Sequence, residues 1–168
     1  MFENYLSLFL SLNTNKYAGI IAPHKPVLLI TVIELYDTGY LSSKKIELSE
    51  QLEKSFKVNW HKYVGNIPFY RPNIDKPYWH LQNEPFWRLV SKNNQPLSSF
   101  RSPYSFKRLR DNVYAEVDDE LFELLKNENN RKVYKKAIID QYLDNYKEVN
   151  GNLVLLTAMI TLFTNVAY

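Results

Sequence analysis

Two candidate functional residues, His24 and Lys25, stand between two prolines in the stretch APHKPVLL (residues 22–29). Pro26 suits the first turn of a helix, because the N–H group that proline lacks would have no intrahelical partner there. The apolar run that follows predicts a buried helix over Val27–Tyr36. Because the start of a helix attracts anions, we expect both side chains to be held beside a site that can bind a phosphate. The alternative for His24 is a contact that caps the start of this helix.

Few of the other residues have the spacing that catalysis requires. The sequence has no cysteine and no glycine-rich phosphate loop, and its four glycines are scattered singly. Its histidines, which are His24, His61 and His80, include no pair at the four-residue spacing of a helical zinc site. The stretch NWH (59–61) resembles part of a histidine–asparagine–histidine nuclease motif, but it lies in the apolar stripe of a predicted helix. We therefore expect no catalytic residue, metal or cofactor in this chain.

A pair of carboxylates provides a less favoured alternative. Asp75 and Glu84 lie nine residues apart, and Lys76 follows the first of them. Carboxylates and a lysine around a magnesium ion could hydrolyse a phosphodiester. A metal-dependent nuclease that uses Asp75 and Glu84 is therefore kept as a hypothesis.

Positive charge is concentrated in the middle of the chain. Between Lys54 and Arg110 the sequence has eleven lysines and arginines and two acidic residues, so the charge of this stretch is 11 − 2 = +9. The whole chain carries +3, which leaves 3 − 9 = −6 for the rest. A local field of this sign attracts polyanions, although a solvated basic surface explains it equally well. Aromatic residues are interleaved with the cations, as in many nucleic-acid-binding surfaces. The candidate DNA-binding residues are His24, Lys25, Lys54, Lys57, His61, Arg71, Arg108 and Arg110.

The elements that must position these residues form one predicted domain over 1–168. We expect a compact, mainly α fold with a small β-hairpin or sheet inserted between helices, which places it in the α+β class. YWHLQ (78–82) and FWRLV (86–90) are the predicted hairpin strands. The apolar stretch 153–163 is too short to span a bilayer, so we expect a buried helix and no membrane contact. The absence of cysteine favours a cytoplasmic location. Further helices are predicted over 2–12, 47–64, 104–112, 119–125 and 131–146.

Several motifs together carry a resemblance to a known family. APHKPVLL is followed by PYWHL (77–81), PFWRL (85–89) and AEVDDELFELL (115–125). This order of motifs resembles the sulphur-binding domain of phosphorothioate-dependent, McrA-like restriction endonucleases. The similarity covers about residues 1–145 and is most specific at 22–30 and 74–90. The resemblance implies a module that binds double-stranded DNA in which sulphur replaces a non-bridging phosphate oxygen.

The resemblance also implies roles for individual residues. His24 and Lys25 would contact DNA bases or phosphates. Since lysine can donate to the edge of guanine, a base contact of Lys25 would be with guanine. The family's sulphur pocket corresponds to the stretch KPYWH (76–80), in which Pro77 would form the wall. Lys76 and His80 depart from the family, which often has an aromatic residue and a small residue at these positions. The implied pocket residues are Lys76, Pro77, Tyr78, His80 and Arg101, with Arg108 and Arg110 as alternatives for the arginine beside the sulphur.

In that family a separate C-terminal nuclease of the histidine–asparagine–histidine type cuts the DNA. We expect this chain to be the non-catalytic reader module of a larger restriction endonuclease that acts in bacterial defence. A stand-alone reader is the alternative, and the sequence allows either a monomer or an oligomer. A DNA- or RNA-binding module without sulphur selectivity and a protein-interaction module are the competing hypotheses.

Overall fold

The computed structural model describes residues 1–17, 19–94, 96–97, 105–146 and 149–151. They form seven α-helices and five short β-strands within the described ranges. The helices are α1 (Phe2–Leu10), α2 (His24–Asp37), α3 (Glu50–Tyr63), α4 (Asp75–His80), α5 (Phe106–Asn112), α6 (Asp119–Leu125) and α7 (Glu128–Tyr142). The strands are β1 (Lys16–Tyr17), β2 (Ile20–Ile21), β3 (Lys45–Ile46), β4 (Trp87–Ser91) and β5 (Val113–Val117). The predicted class, mainly α with small antiparallel sheets, is confirmed.

Helix α2 is the centre of the core. Its residues Val27–Ile30 are almost completely buried, because α3, α4 and α7 all pack against it. The helix begins at His24, three residues before the predicted Val27, so Pro26 lies in its first turn. A helix buried along its length can move little, and the side chains at its start are therefore held in fixed positions.

The predicted hairpin is wrong in its first half. The stretch 75–80 is helix α4, and the Tyr78 N–H group donates to the carbonyl oxygen of Ile74 at 3.0 Å. The reason lies in the spacing of the buried residues, since Ile74, Pro77, Tyr78 and Leu81 recur at the intervals of one helix face. Their period outweighs the short alternation within YWHLQ.

Strand β4 pairs with a distant segment instead. It lies antiparallel to β5, with Leu89 opposite Ala115, and β5 also pairs with β3 to give the order β3-β5-β4. Along β4 the buried Trp87 and Leu89 alternate with the exposed Arg88, so one face of the sheet covers the core.

The other predicted helices are found with small changes in their bounds. In α3, Ser49 caps the first turn and Leu52, Phe56 and Trp60 point into the core. Asp118 caps the start of α6, since its carboxylate accepts from the Leu121 N–H group at 2.8 Å. The predicted helix over 153–163 lies outside the described residues. No helix in the described part of the chain has the length and apolar composition that a membrane span requires.

Candidate nucleic-acid interface

A cavity of about 820 Å³ opens at the start of α2. Its walls come from five parts of the chain, namely the loop after α1, the residues around the start of α2, the segment between α3 and α4, α4 itself, and the turn that follows α4. The predicted site residues that line it are His24, Lys25, Arg71, Lys76, Pro77 and His80. The fold thus brings two separate motifs, APHKP and KPYWH, to one site.

His24 holds two of these walls together. Its Nε2 atom lies 2.9 Å from the carbonyl oxygen of Arg71, and because a carbonyl only accepts, Nε2 carries the proton in this contact. The His24 ring also contacts two aromatic rings. Its centroid lies 4.8 Å from the centroid of the Trp60 ring and 5.5 Å from that of the Tyr70 ring, to which it is nearly perpendicular. Burial and then the charge of Lys76 lower the pKa of His24, while the hydrogen bond to Arg71 opposes this shift. The N-cap residue of α2 is Pro23, and the His24 side chain bonds to the Arg71 carbonyl outside α2, which opposes the capping role considered for it.

Lys25 has a partner that the sequence did not indicate. Its Nζ atom donates to Oε1 of Glu84 at 2.5 Å, and the two side chains are 10% and 8% exposed. The same Oε1 atom accepts from the backbone N–H group of Asn13 at 3.2 Å. Lys25 would have to leave Glu84 to reach the edge of a guanine. The contact of Lys25 with a base therefore stays a prediction, and the ion pair with Glu84 would have to break before that contact could form.

The carboxylates proposed as metal ligands have other roles. Glu84 neutralises Lys25, and Asp75 accepts from the backbone N–H group of Lys76 at the start of α4. Within the described ranges, no group of three or more histidines or carboxylates could hold a metal ion. The structure thus gives no support to the magnesium-dependent alternative.

Helix α4 presents two kinds of residue to different sides. Lys76 and His80, one turn apart, are exposed and line the cavity together with Pro77, which is largely buried. The pKa of His80 is lowered by burial and by the charges of Lys25 and Lys76. Tyr78 faces the opposite way, because its side chain is fully buried and its hydroxyl donates to the carbonyl oxygen of Ile46 at 2.7 Å. Its assignment to the predicted pocket is therefore wrong.

The remaining predicted contacts lie outside the cavity lining. Lys54, Lys57 and His61 are exposed on α3, and Lys57 pairs with Glu53 one turn earlier at 2.6 Å. Lys54 borders a second groove of about 580 Å³, which also includes Thr38 and Gly39 at the far end of α2.

Helix α5 carries the predicted Arg108 and Arg110. Arg108 is exposed, and Arg110 contacts Glu50 at 3.3 Å and stacks over the ring of Phe106. Arg101, the first choice for the arginine beside the sulphur, lies outside the described residues.

Sequence reasoning missed four asparagines of the cavity, because they come from three separate segments and share no motif. All four are exposed, and amides of this kind can donate to and accept from base edges or phosphates. They are Asn13, Asn15, Asn73 and Asn83.

Among the comparisons with known proteins, the one with solved structures gives a match, and the match is to the fold. No family model matches the chain, and no significant match is found among curated proteins. The fold is that of a solved DNA-binding domain. A similar solved structure is the sulphur-binding domain of SprMcrA complexed with phosphorothioated DNA, with a TM-score of 0.61 and 15% identity. The match covers 84% of this chain and 85% of that one. At this identity the likeness supports the same fold.

Proposed function

We propose that this chain binds double-stranded DNA that carries a phosphorothioate and recognises the sulphur in the cavity at the start of α2. The observation that carries the proposal is one cavity that combines Pro77 with the exposed cations Arg71 and Lys76. The likeness to a domain that binds phosphorothioated DNA supports the same conclusion.

The chemistry of Pro77 favours sulphur over oxygen. Sulphur is larger and more polarisable than oxygen, and it is a poorer hydrogen-bond acceptor. Proline offers carbon atoms and no N–H group, so an oxygen placed against it loses water without gaining a partner. That loss costs about 1–3 kcal/mol, which corresponds to roughly tenfold to hundredfold discrimination.

The cations give the cavity its attraction for the backbone. A phosphorothioate keeps the negative charge of a phosphate, and the side chains of Arg71 and Lys76 are exposed at the rim, where they can reach an oxygen. The first residues of α2 add the partial positive charge of a helix start. The volume, about 820 Å³, is far above the roughly 30 Å³ that one water molecule occupies. The cavity can therefore take a backbone phosphate together with part of its sugar or base.

In the cell, this activity would serve the reader module of a modification-dependent restriction endonuclease. The nuclease would be a separate domain of the full-length protein, and this chain would be non-catalytic and cytoplasmic. Arg101, with Arg108 and Arg110 as alternatives, remains the proposed arginine beside the sulphur.

The test compares two duplexes of identical sequence that differ by one sulphur atom. Each phosphorothioate diastereomer is measured separately, since a shaped cavity should distinguish them. We expect at least about tenfold tighter binding of one sulphur-containing duplex at moderate salt. Equal affinities for all duplexes would refute the proposal.

A second candidate is a general DNA- or RNA-binding module. It is favoured by the exposed lysines of α3, which lie outside the cavity and carry no means of recognising sulphur. This alternative predicts equal affinities in the same comparison, together with comparable binding of an RNA duplex.

A further inference from the structure

Glu84 lies behind the cavity and is bound to two of its walls. Its carboxylate is almost completely buried and contacts Lys25 from α2 and the backbone of Asn13 from the loop after α1. Both partners line the cavity, whereas Glu84 itself does not. A buried carboxylate in this position sets the net charge that the cavity presents to a ligand.

We propose that Glu84 is a specificity-determining residue, because it neutralises Lys25 and so keeps the cavity from binding unmodified phosphate. This inference rests on the proposed function. A phosphate and a phosphorothioate carry the same charge, so an unpaired ammonium in the wall would attract both. With the charge of Lys25 cancelled at 2.5 Å, discrimination depends on the apolar contact with Pro77.

Hydrogen bonding strengthens this argument. The ammonium of Lys25 has three N–H donors, and the carboxylate of Glu84 accepts from it at 2.5 Å and offsets its charge. If the ammonium were released, it would stabilise an oxygen more than a sulphur, because oxygen is the better acceptor. Loss of the Glu84 charge should therefore favour the unmodified duplex.

Two variants separate charge from shape. Glu84→Gln removes the charge and keeps an oxygen that can accept from Asn13, whereas Lys25→Met/Glu84→Gln removes both charges at nearly constant volume. Glu128→Gln is the control, because it makes the same change in net charge on the exposed start of α7. That position lies near the far end of α2, where Arg131 of α7 pairs with Asp37.

Binding of the plain and the sulphur-containing duplex is measured for the full chain of each variant. We expect Glu84→Gln to tighten the plain duplex about tenfold more than the modified one, so that the preference falls about tenfold. The double variant should recover most of the wild-type preference, and Glu128→Gln should keep it. Thermal unfolding of each variant shows whether it is folded.

An unchanged preference in folded Glu84→Gln would overturn the inference, as would an equal loss of affinity for both duplexes. If that variant does not fold, the double variant decides. A retained preference for the sulphur-containing duplex supports the inference that Glu84 acts by neutralising Lys25, and a lost preference contradicts it. Equal binding of both duplexes by the wild-type protein would refute the proposed function instead. Tighter binding of the plain duplex by Glu84→Gln would still show that Glu84 shields Lys25.

Discussion

The cavity at the start of α2 and the outer face of α3 both carry cations, but the two regions hold them differently. In the cavity, Lys25 is almost buried and bonded to one carboxylate, whereas Arg71 and Lys76 are exposed at the rim. On α3, Lys54 and Lys57 are exposed, and Lys57 makes a surface pair with Glu53. A fixed charge in a shaped wall can select among ligands, whereas an exposed and mobile charge attracts any polyanion and is screened by salt.

The packing of the two helices explains this difference. Helix α2 is buried on nearly all sides, so its first turn cannot shift to suit a ligand. Helix α3 is amphipathic and buries Leu52, Phe56 and Trp60 while its polar face stays in solvent. We therefore infer that selectivity for sulphur comes from the cavity, and that the exposed face of α3 adds affinity for DNA without selectivity.

The largest effect should follow from breaking the buried ion pair. Lys25→Met alone leaves the carboxylate of Glu84 buried without its charge partner, so we expect a loss of about 3–5 kcal/mol of unfolding free energy. Lys57→Met removes an exposed helical pair, which is worth about 0.3–0.5 kcal/mol. Chemical denaturation measures both. Similar small losses in the two variants would show that the two regions hold charge in the same way.

The next effect concerns sulphur preference. Pro77→Ala removes ring carbons from the cavity wall and adds a backbone N–H group, both of which favour oxygen. We expect the ratio of the two duplex affinities to fall about tenfold. Pro85→Ala is the matched control, because Pro85 is exposed and does not line the cavity. If both variants keep the wild-type ratio, the wall formed by Pro77 does not read sulphur.

How far the sequence predicts the molecule also differs between the two regions. The buried residues of α3 recur every three or four positions along the sequence. This local periodicity predicted both the helix and the exposed face that carries its cations. The cavity depends on contacts between distant residues, such as Lys25 with Glu84, which are 59 positions apart. No local pattern encodes such a contact. In α4 the helical stripe over 74–81 was present in the sequence, but the alternation in YWHLQ concealed it.

A smaller effect on DNA affinity is expected from Lys54, on the exposed face of α3. Lys54→Ala should weaken binding to the plain and the modified duplex by the same factor, because it removes attraction to the backbone. If Lys54 contacts one phosphate, the dependence of log affinity on log salt should become shallower by about one unit. Lys132→Ala, on the exposed face of α7, is the control. A change in the sulphur preference of Lys54→Ala would contradict the division of roles between the two regions.

The smallest effect concerns the pH dependence of stability and tests how firmly His24 is held. Burial lowers the pKa of His24 in the folded protein, whereas an unfolded histidine titrates near pH 6.5. Between these two values the unfolded chain binds more protons, so stability should fall as pH decreases from about 6.5 and level off once the folded His24 is also protonated. One group contributes at most about 1.4 kcal/mol per pH unit to this slope.

His24→Gln can still donate to the carbonyl of Arg71 but cannot titrate, and its unfolding free energy should lack this contribution. The same slope in wild type and variant would mean that His24 is not the group responsible, and that the first turn of α2 holds its side chains less firmly than the contacts with Arg71 and Trp60 indicate.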